Sequence, residues 1–120
     1  MNRFEKFTIE TLQRAKSMRE YLSIQTWGLA GQYDINERHI RERLLELQAE
    51  KYIRMSAWDG NRDRPFEEWE SADAFFDSTT DSGYKRIWLL IRGAEFLENL
   101  PQPDPRSDLN PRIGFTARVQ

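Results

Sequence analysis

The stretch Leu29–Ile53, LAGQYDINERHIRERLLELQAEKYI, decides the fold. Asn36 is a good helix N-cap, and Glu37 suits the first turn, where a carboxylate meets the positive end of the helix dipole. Ile40, Leu44 and Leu47 repeat at i, i+4 and i+7 and so define one buried side of a helix reaching to near Glu50. Glu37 precedes Arg41 by four residues, the favourable order for an ion pair along a helix. Beyond it, Tyr52-Ile53-Arg54-Met55 begins a two-residue alternation that reads as a strand.

Upstream, Phe4, Phe7, Leu12, Ala15, Met18 and Leu22 recur at mostly helical spacing, so a first amphipathic helix is expected over 4–22. Ser23 and Thr26 are alternative caps for a short second helix, Trp27 to Gln32. Downstream, Asp59-Gly60-Asn61 and Asp81-Ser82-Gly83 are turn sequences. Between them Pro65 is placed to open a short helix carrying Phe66, Trp69, Ala72 or Ala74, and Phe76. A strand is expected over Tyr84–Ile91, with Ile87, Leu89 and Ile91 on one face and Lys85 at its outer end. A last helix follows Gly93, over Ala94–Leu100, and residues 101–120 hold four of the five prolines and read as an extended tail.

Charge is unevenly placed. The chain has 18 Lys and Arg against 20 Asp and Glu, a net of −2. Residues 59–81 hold eight acids and two bases, a net of −6, so the remainder carries −2 − (−6) = +4. A mildly basic body thus bears one acidic insertion. The chain has no cysteine, which makes a reducing cytoplasm the expected compartment and removes thiol chemistry. Its charged N-terminus lacks the apolar run of a signal peptide, and no stretch is long enough to span a bilayer, so no membrane partner is expected.

The element order is helix, helix, helix, strand, long loop, strand, helix. With Leu29-Ala30 before a turn, Asn36 as the cap of the third helix, and the Lys51-Tyr52-Ile53 exit, the run resembles the winged helix-turn-helix superfamily. Members commonly carry Gly where Lys51 stands. Gly93-Ala94-Glu95-Phe96-Leu97-Glu98 looks like the helix that follows the wing in many bacterial winged-helix regulators. The resemblance implies an α+β domain over residues 1–100: a three-helix core, a two-stranded wing with a long acidic insertion at 59–83, and a C-terminal helix.

It also implies a DNA-binding protein, a dimeric transcriptional regulator whose third helix reads the major groove of double-stranded DNA. Asn36, Arg38, His39 and Arg41 are then the candidate contacts on the helix, with Arg54, Lys85 and Arg86 reaching phosphate from the base of the wing. Two features favour the alternative, a winged-helix protein-protein interaction module. Residues 36–51 hold four bases and four acids, so the helix is net neutral, and Leu45 and Ala49 put apolar surface on its outer side. Leu45, Phe66, Trp69 and Phe76 are the candidate partner-binding residues, although folding of the insertion back onto Leu45 is the preferred reading. The acidic insertion is the other route to a protein partner.

The chain is expected not to be an enzyme and to need no cofactor or metal. His39 is its only histidine, the six glycines are scattered rather than gathered in a phosphate-binding loop, and the Glu67–Glu68 and Asp73–Asp77 pairs read as a solvated acidic loop.

Overall fold

The computed structural model describes residues 1–18, 21–78 and 84–101. The chain is α+β, with five helices and one small four-stranded antiparallel sheet among the described residues. Helix α1 spans Arg3–Ser17, strand β1 Leu22–Ile24, helix α2 Thr26–Tyr33, helix α3 Glu37–Ala49 and strand β2 Ile53–Trp58. Strand β3, Asp63–Pro65, and a single 3-10 turn, Phe66–Glu68, lead to helix α4, Ala72–Phe76; strand β4, Lys85–Leu89, and helix α5, Ile91–Glu98, complete the order. The strands lie in the order β1-β4-β2-β3.

Helix α1 starts at a capping box. The Asn2 side chain accepts from the Glu5 backbone N–H, and the Glu5 carboxylate accepts from the Asn2 N–H. Phe7, Leu12 and Ala15 point into the core. The helix is shorter than its apolar spacing predicts, because Leu22 belongs to β1, where Leu22 and Ile24 are buried and Ser23 is exposed. Leu22 sits four residues after Met18 and so mimics one more helical turn, which hid a strand of three residues.

Helix α2 runs one residue further at each end than expected. Its cap position is Gln25, which makes no side-chain capping bond, rather than Ser23 or Thr26. Thr26 instead donates from Oγ1 to Glu37 Oε2 at 2.6 Å, joining the start of α2 to the start of α3. Helix α3 follows the sequence reading: Asn36 Oδ1 accepts from the Arg38 N–H at 2.8 Å, Ile40, Leu44 and Leu47 are buried, and Arg41 pairs with Glu37 at 3.2 Å. It ends with the Lys51 N–H bonded to the Gln48 carbonyl and the Tyr52 N–H to the Leu47 carbonyl, which requires Lys51 to adopt φ +68°.

In the insertion the Asp59 carboxylate accepts from the backbone N–H groups of Asn61 and Arg62, at 2.7 and 3.0 Å. These bonds favour the ionised form and hold its pKa below the usual carboxylate value. Pro65 closes β3 and stands at the cap of the 3-10 turn Phe66–Glu68 rather than opening one helix through to Phe76, and the following helix, α4, is capped by Ser71 Oγ. Strand β4 ends at Leu89, two residues early; Ile91 opens α5 and is 79% exposed instead of sharing a face with Ile87. Gly93 lies where α5 presses on the end of α3, and a Cβ there would collide with the Tyr52 carbonyl oxygen.

The core lies between the helices and the inner face of the sheet, gathering Phe7, Leu12, Leu29, Ile40, Leu44, Ile53, Met55 and Ile87. Tyr33 joins it edge-on to Phe7, with ring centroids 5.5 Å apart, and donates from Oη to Glu10 at 2.6 Å. Burial, and then the bond to Glu10, push its phenol up to about 12. No described helix is long and apolar enough to cross a membrane. The turn expected at 81–83 and all of the tail after Pro101 lie outside the described residues.

Candidate functional site

The acidic insertion returns to α3 and covers part of its outer side. In α4, Phe75 and Phe76 are both buried, and the rings of Phe66, Trp69 and Phe76 each lie edge-on to Phe75, with centroids 5.1 to 5.9 Å apart. Phe66, Trp69, Ala72 and Leu45 pack partly buried against the main core, so the insertion extends the core rather than standing off it. Phe75, the centre of this cluster, was not among the apolar positions expected from sequence. A helix of five residues has too few turns to show a period, and an adjacent Phe pair does not say which ring faces inward.

Arg41 is the joint between α3 and α4. Its guanidinium bonds Glu37 Oε2 at 3.2 Å and Asp77 Oδ1 at 2.9 Å, and lies over the Phe76 ring at 5.3 Å. Beside it opens a groove of about 450 Å³ between the two helices. Leu45, Ala72 and Phe76 supply its apolar lining, and Glu37, Glu42, Asp73, Arg38 and Arg41 its charged lining. With Asp77 on the same joint, four carboxylates stand against two guanidinium groups.

The candidate nucleic-acid contacts divide among separate surfaces. Asn36, Arg38 and His39 are exposed on the first turn of α3. The Asn36 side chain caps the helix, and the His39 ring lies 5.8 Å from that of Phe4, over a smaller groove of about 290 Å³ lined also by Glu42, Arg43 and Glu46. Arg38 makes no ion pair with any described residue. Arg54 and Arg86 stand on the outer face of the sheet, opposite the side on which the helices pack. Arg54 lies over the Trp88 ring at 4.6 Å, and Arg86 over the Tyr21 ring at 5.7 Å and 3.8 Å from Asp63.

Lys85 corrects its expected place at the outer end of β4. It is 1% exposed, faces inward in register with Ile87, donates from Nζ to the Ser78 carbonyl at 3.2 Å and lies 5.8 Å from the centre of the Phe75 ring. A buried ammonium needs such partners, and from there it cannot reach a phosphate. It fastens the end of the insertion to the sheet.

Among the described residues, no three His, Asp or Glu side chains gather as a metal site. No protein-family model matches the chain, and no match was found among curated proteins or solved structures.

Proposed function

We propose that the chain is a winged-helix domain acting as a protein-interaction module, with the groove between α3 and α4 as its docking surface. The order of helices and strands, and three helices packed on one face of a small antiparallel sheet, support the winged-helix reading. The observation that carries the function is the Arg41–Asp77 ion pair with Phe76 buried beneath it. The insertion occupies the outer side of α3 that a major-groove reader would present to DNA, and it engages one of that helix's arginines. What remains open is an apolar strip whose carboxylates outnumber its arginines, a balance that disfavours phosphate and favours basic groups. Such a groove suits an amphipathic segment that inserts a leucine-sized side chain flanked by Lys or Arg.

The test is titration of the full chain with two fluorescent helical peptides, one with leucines flanked by lysine and one with glutamate in place of lysine. The basic peptide binds, the acidic one does not, and Leu45→Glu or Asp73→Lys removes binding. Indifference to these substitutions, or equal binding of both peptides, overturns the reading.

A second reading, a dimeric regulator on double-stranded DNA, rests on the exposure of Asn36, Arg38 and His39 at the start of α3. It requires contact through that first turn alone, with α4 directed away from the duplex.

A further inference from the structure

The outer face of the sheet carries aromatic rings and guanidinium groups in rows. Along β2, Ile53, Met55 and Ala57 are buried and Arg54 and Trp58 are exposed. The pairs Arg54↔Trp88 and Ser56↔Arg86, with Ser23↔Arg86 on the other side, fix the outward residues of three strands. One row runs Tyr21, Trp88, Arg54, with the Tyr21 and Trp88 rings 5.4 Å apart and the Arg54 guanidinium 4.6 Å over the Trp88 indole. The next row runs Ser23, Arg86, Ser56, where Ser56 Oγ accepts from Trp88 Nε1 at 3.2 Å and donates to Asp63 at 2.9 Å. Continuing the register by two residues sets Tyr84 opposite Trp58. These two and Tyr21 are exposed, at 38%, 38% and 36%.

We infer that this face binds single-stranded RNA. This surface is distinct from the α3–α4 groove, and the inference does not depend on the function proposed for that groove. Unpaired bases stack on aromatic rings and on guanidinium planes, and both are presented here on one face of the sheet. The row of Tyr84 and Trp58 is four residues along the strand from the row of Trp88, about 13 Å. That spacing separates two stacking positions, with Arg86, which holds Asp63, between them. Arg54 makes no ion pair with any described residue, so its charge is available to the strand. Among the described residues, Asp63 is the one carboxylate in the array, and it lies at the β3 edge, held by Ser56 and Arg86.

Two other occupants fit less well. A second copy of the chain packed face to face would bring two arginines of each protomer against two of the other. A duplex would offer base edges and no stacking faces. The hydroxyls of Tyr21, Ser23 and Tyr84 on the same surface provide partners for ribose 2′-OH groups, which points to RNA over DNA.

Fluorescence anisotropy of the full chain with labelled ten-nucleotide oligouridylate, the matching oligothymidylate and a mixed-sequence duplex at low salt tests the proposal. The RNA binds with salt-dependent affinity and quenches tryptophan emission. Trp58→Ala weakens it roughly five-fold or more, as loss of one stacked base does, and Trp58→Phe restores part of the loss. Arg54→Ala lowers the salt slope by about one. Absence of RNA binding at low salt, affinity unmoved by Trp58→Ala and Arg54→Glu in folded variants, or binding of the DNA oligomer as tight as the RNA overturns it. So does sedimentation showing a dimer that Trp58→Ala separates.

Discussion

Arg41 in α3 and Asp77 at the end of α4 meet at 2.9 Å, and this pair marks where the acidic insertion is joined to the outer side of α3. Its side chains differ in exposure, 22% for Arg41 and 65% for Asp77, so solvent screens the attraction. The pair fixes position more than it supplies stability. Most of the free energy of docking comes from the rings behind it.

That division has a measurable consequence. Phe76→Ala removes a nearly buried ring and is expected to cost about 3 kcal/mol of unfolding free energy. Asp77→Ala breaks a screened pair and is expected to cost no more than about 1 kcal/mol. Denaturant unfolding of both variants gives the order; a larger loss from Asp77→Ala contradicts apolar docking of α4.

Lys51 closes α3 with φ +68°, a conformation that places a Cβ against its own backbone. Lys51→Gly relieves that crowding at a position where the resemblance leads one to expect glycine. The variant is expected to gain up to about 1 kcal/mol in denaturant unfolding, with no change in peptide or RNA binding.

Gly93 behaves in the opposite way. A Cβ at this position would meet the Tyr52 carbonyl oxygen and stand 2.7 Å from Leu89 Cδ1. The Leu89 methyl can swing aside, but the backbone carbonyl cannot yield freely, since it accepts the Leu90 N–H at 3.1 Å. Gly93→Ala is expected to lose about 2 kcal/mol or more by separating α5 from the end of α3. A lowered midpoint in thermal unfolding checks it.

Tyr33 gives the core an alkaline titration. Tyr33 keeps its proton up to about 12 in the folded chain, against 10.0 for an exposed phenol. The folded state therefore holds the proton more tightly than the unfolded state. The stability linked to it is complete below pH 10 and is lost as pH rises from 10 towards 12. Phenolate absorbance should show a step towards pH 12, and Tyr33→Phe should remove that step and flatten the loss of stability over the same range.

The elements whose spacing extends over several turns were legible in the sequence, and the short ones were not. Asn36, Glu37, Ile40, Leu44 and Leu47 located α3 because cap, dipole and period agree there. The inward side of β4 was misassigned at both ends, because Lys85 is a charge that the insertion buries and Ile91 is an apolar residue that α5 turns outward. Neither outcome follows from local pattern; both depend on what packs against the strand. The candidate site shows the same limit. Leu45 and Phe76 were read as apolar positions needing cover, but the pairing of Arg41 with Asp77 joins residues 36 positions apart and has no local signature. On the outer sheet face Arg54 and Arg86 were read from sequence as basic residues at the base of the wing, but Tyr21 could not be placed beside them, since it precedes a strand that the helical spacing concealed.

Titration of mixed-sequence duplex DNA with the full chain, from about 50 to 200 mM salt, bears most directly on the role of α3. With α4 docked on the helix and carboxylates lining the groove, duplex affinity should be weak at the lowest salt and unchanged by Arg38→Ala or Arg41→Ala. Tight binding that falls steeply with salt and is weakened by both substitutions would contradict the assignment of that face to a protein partner.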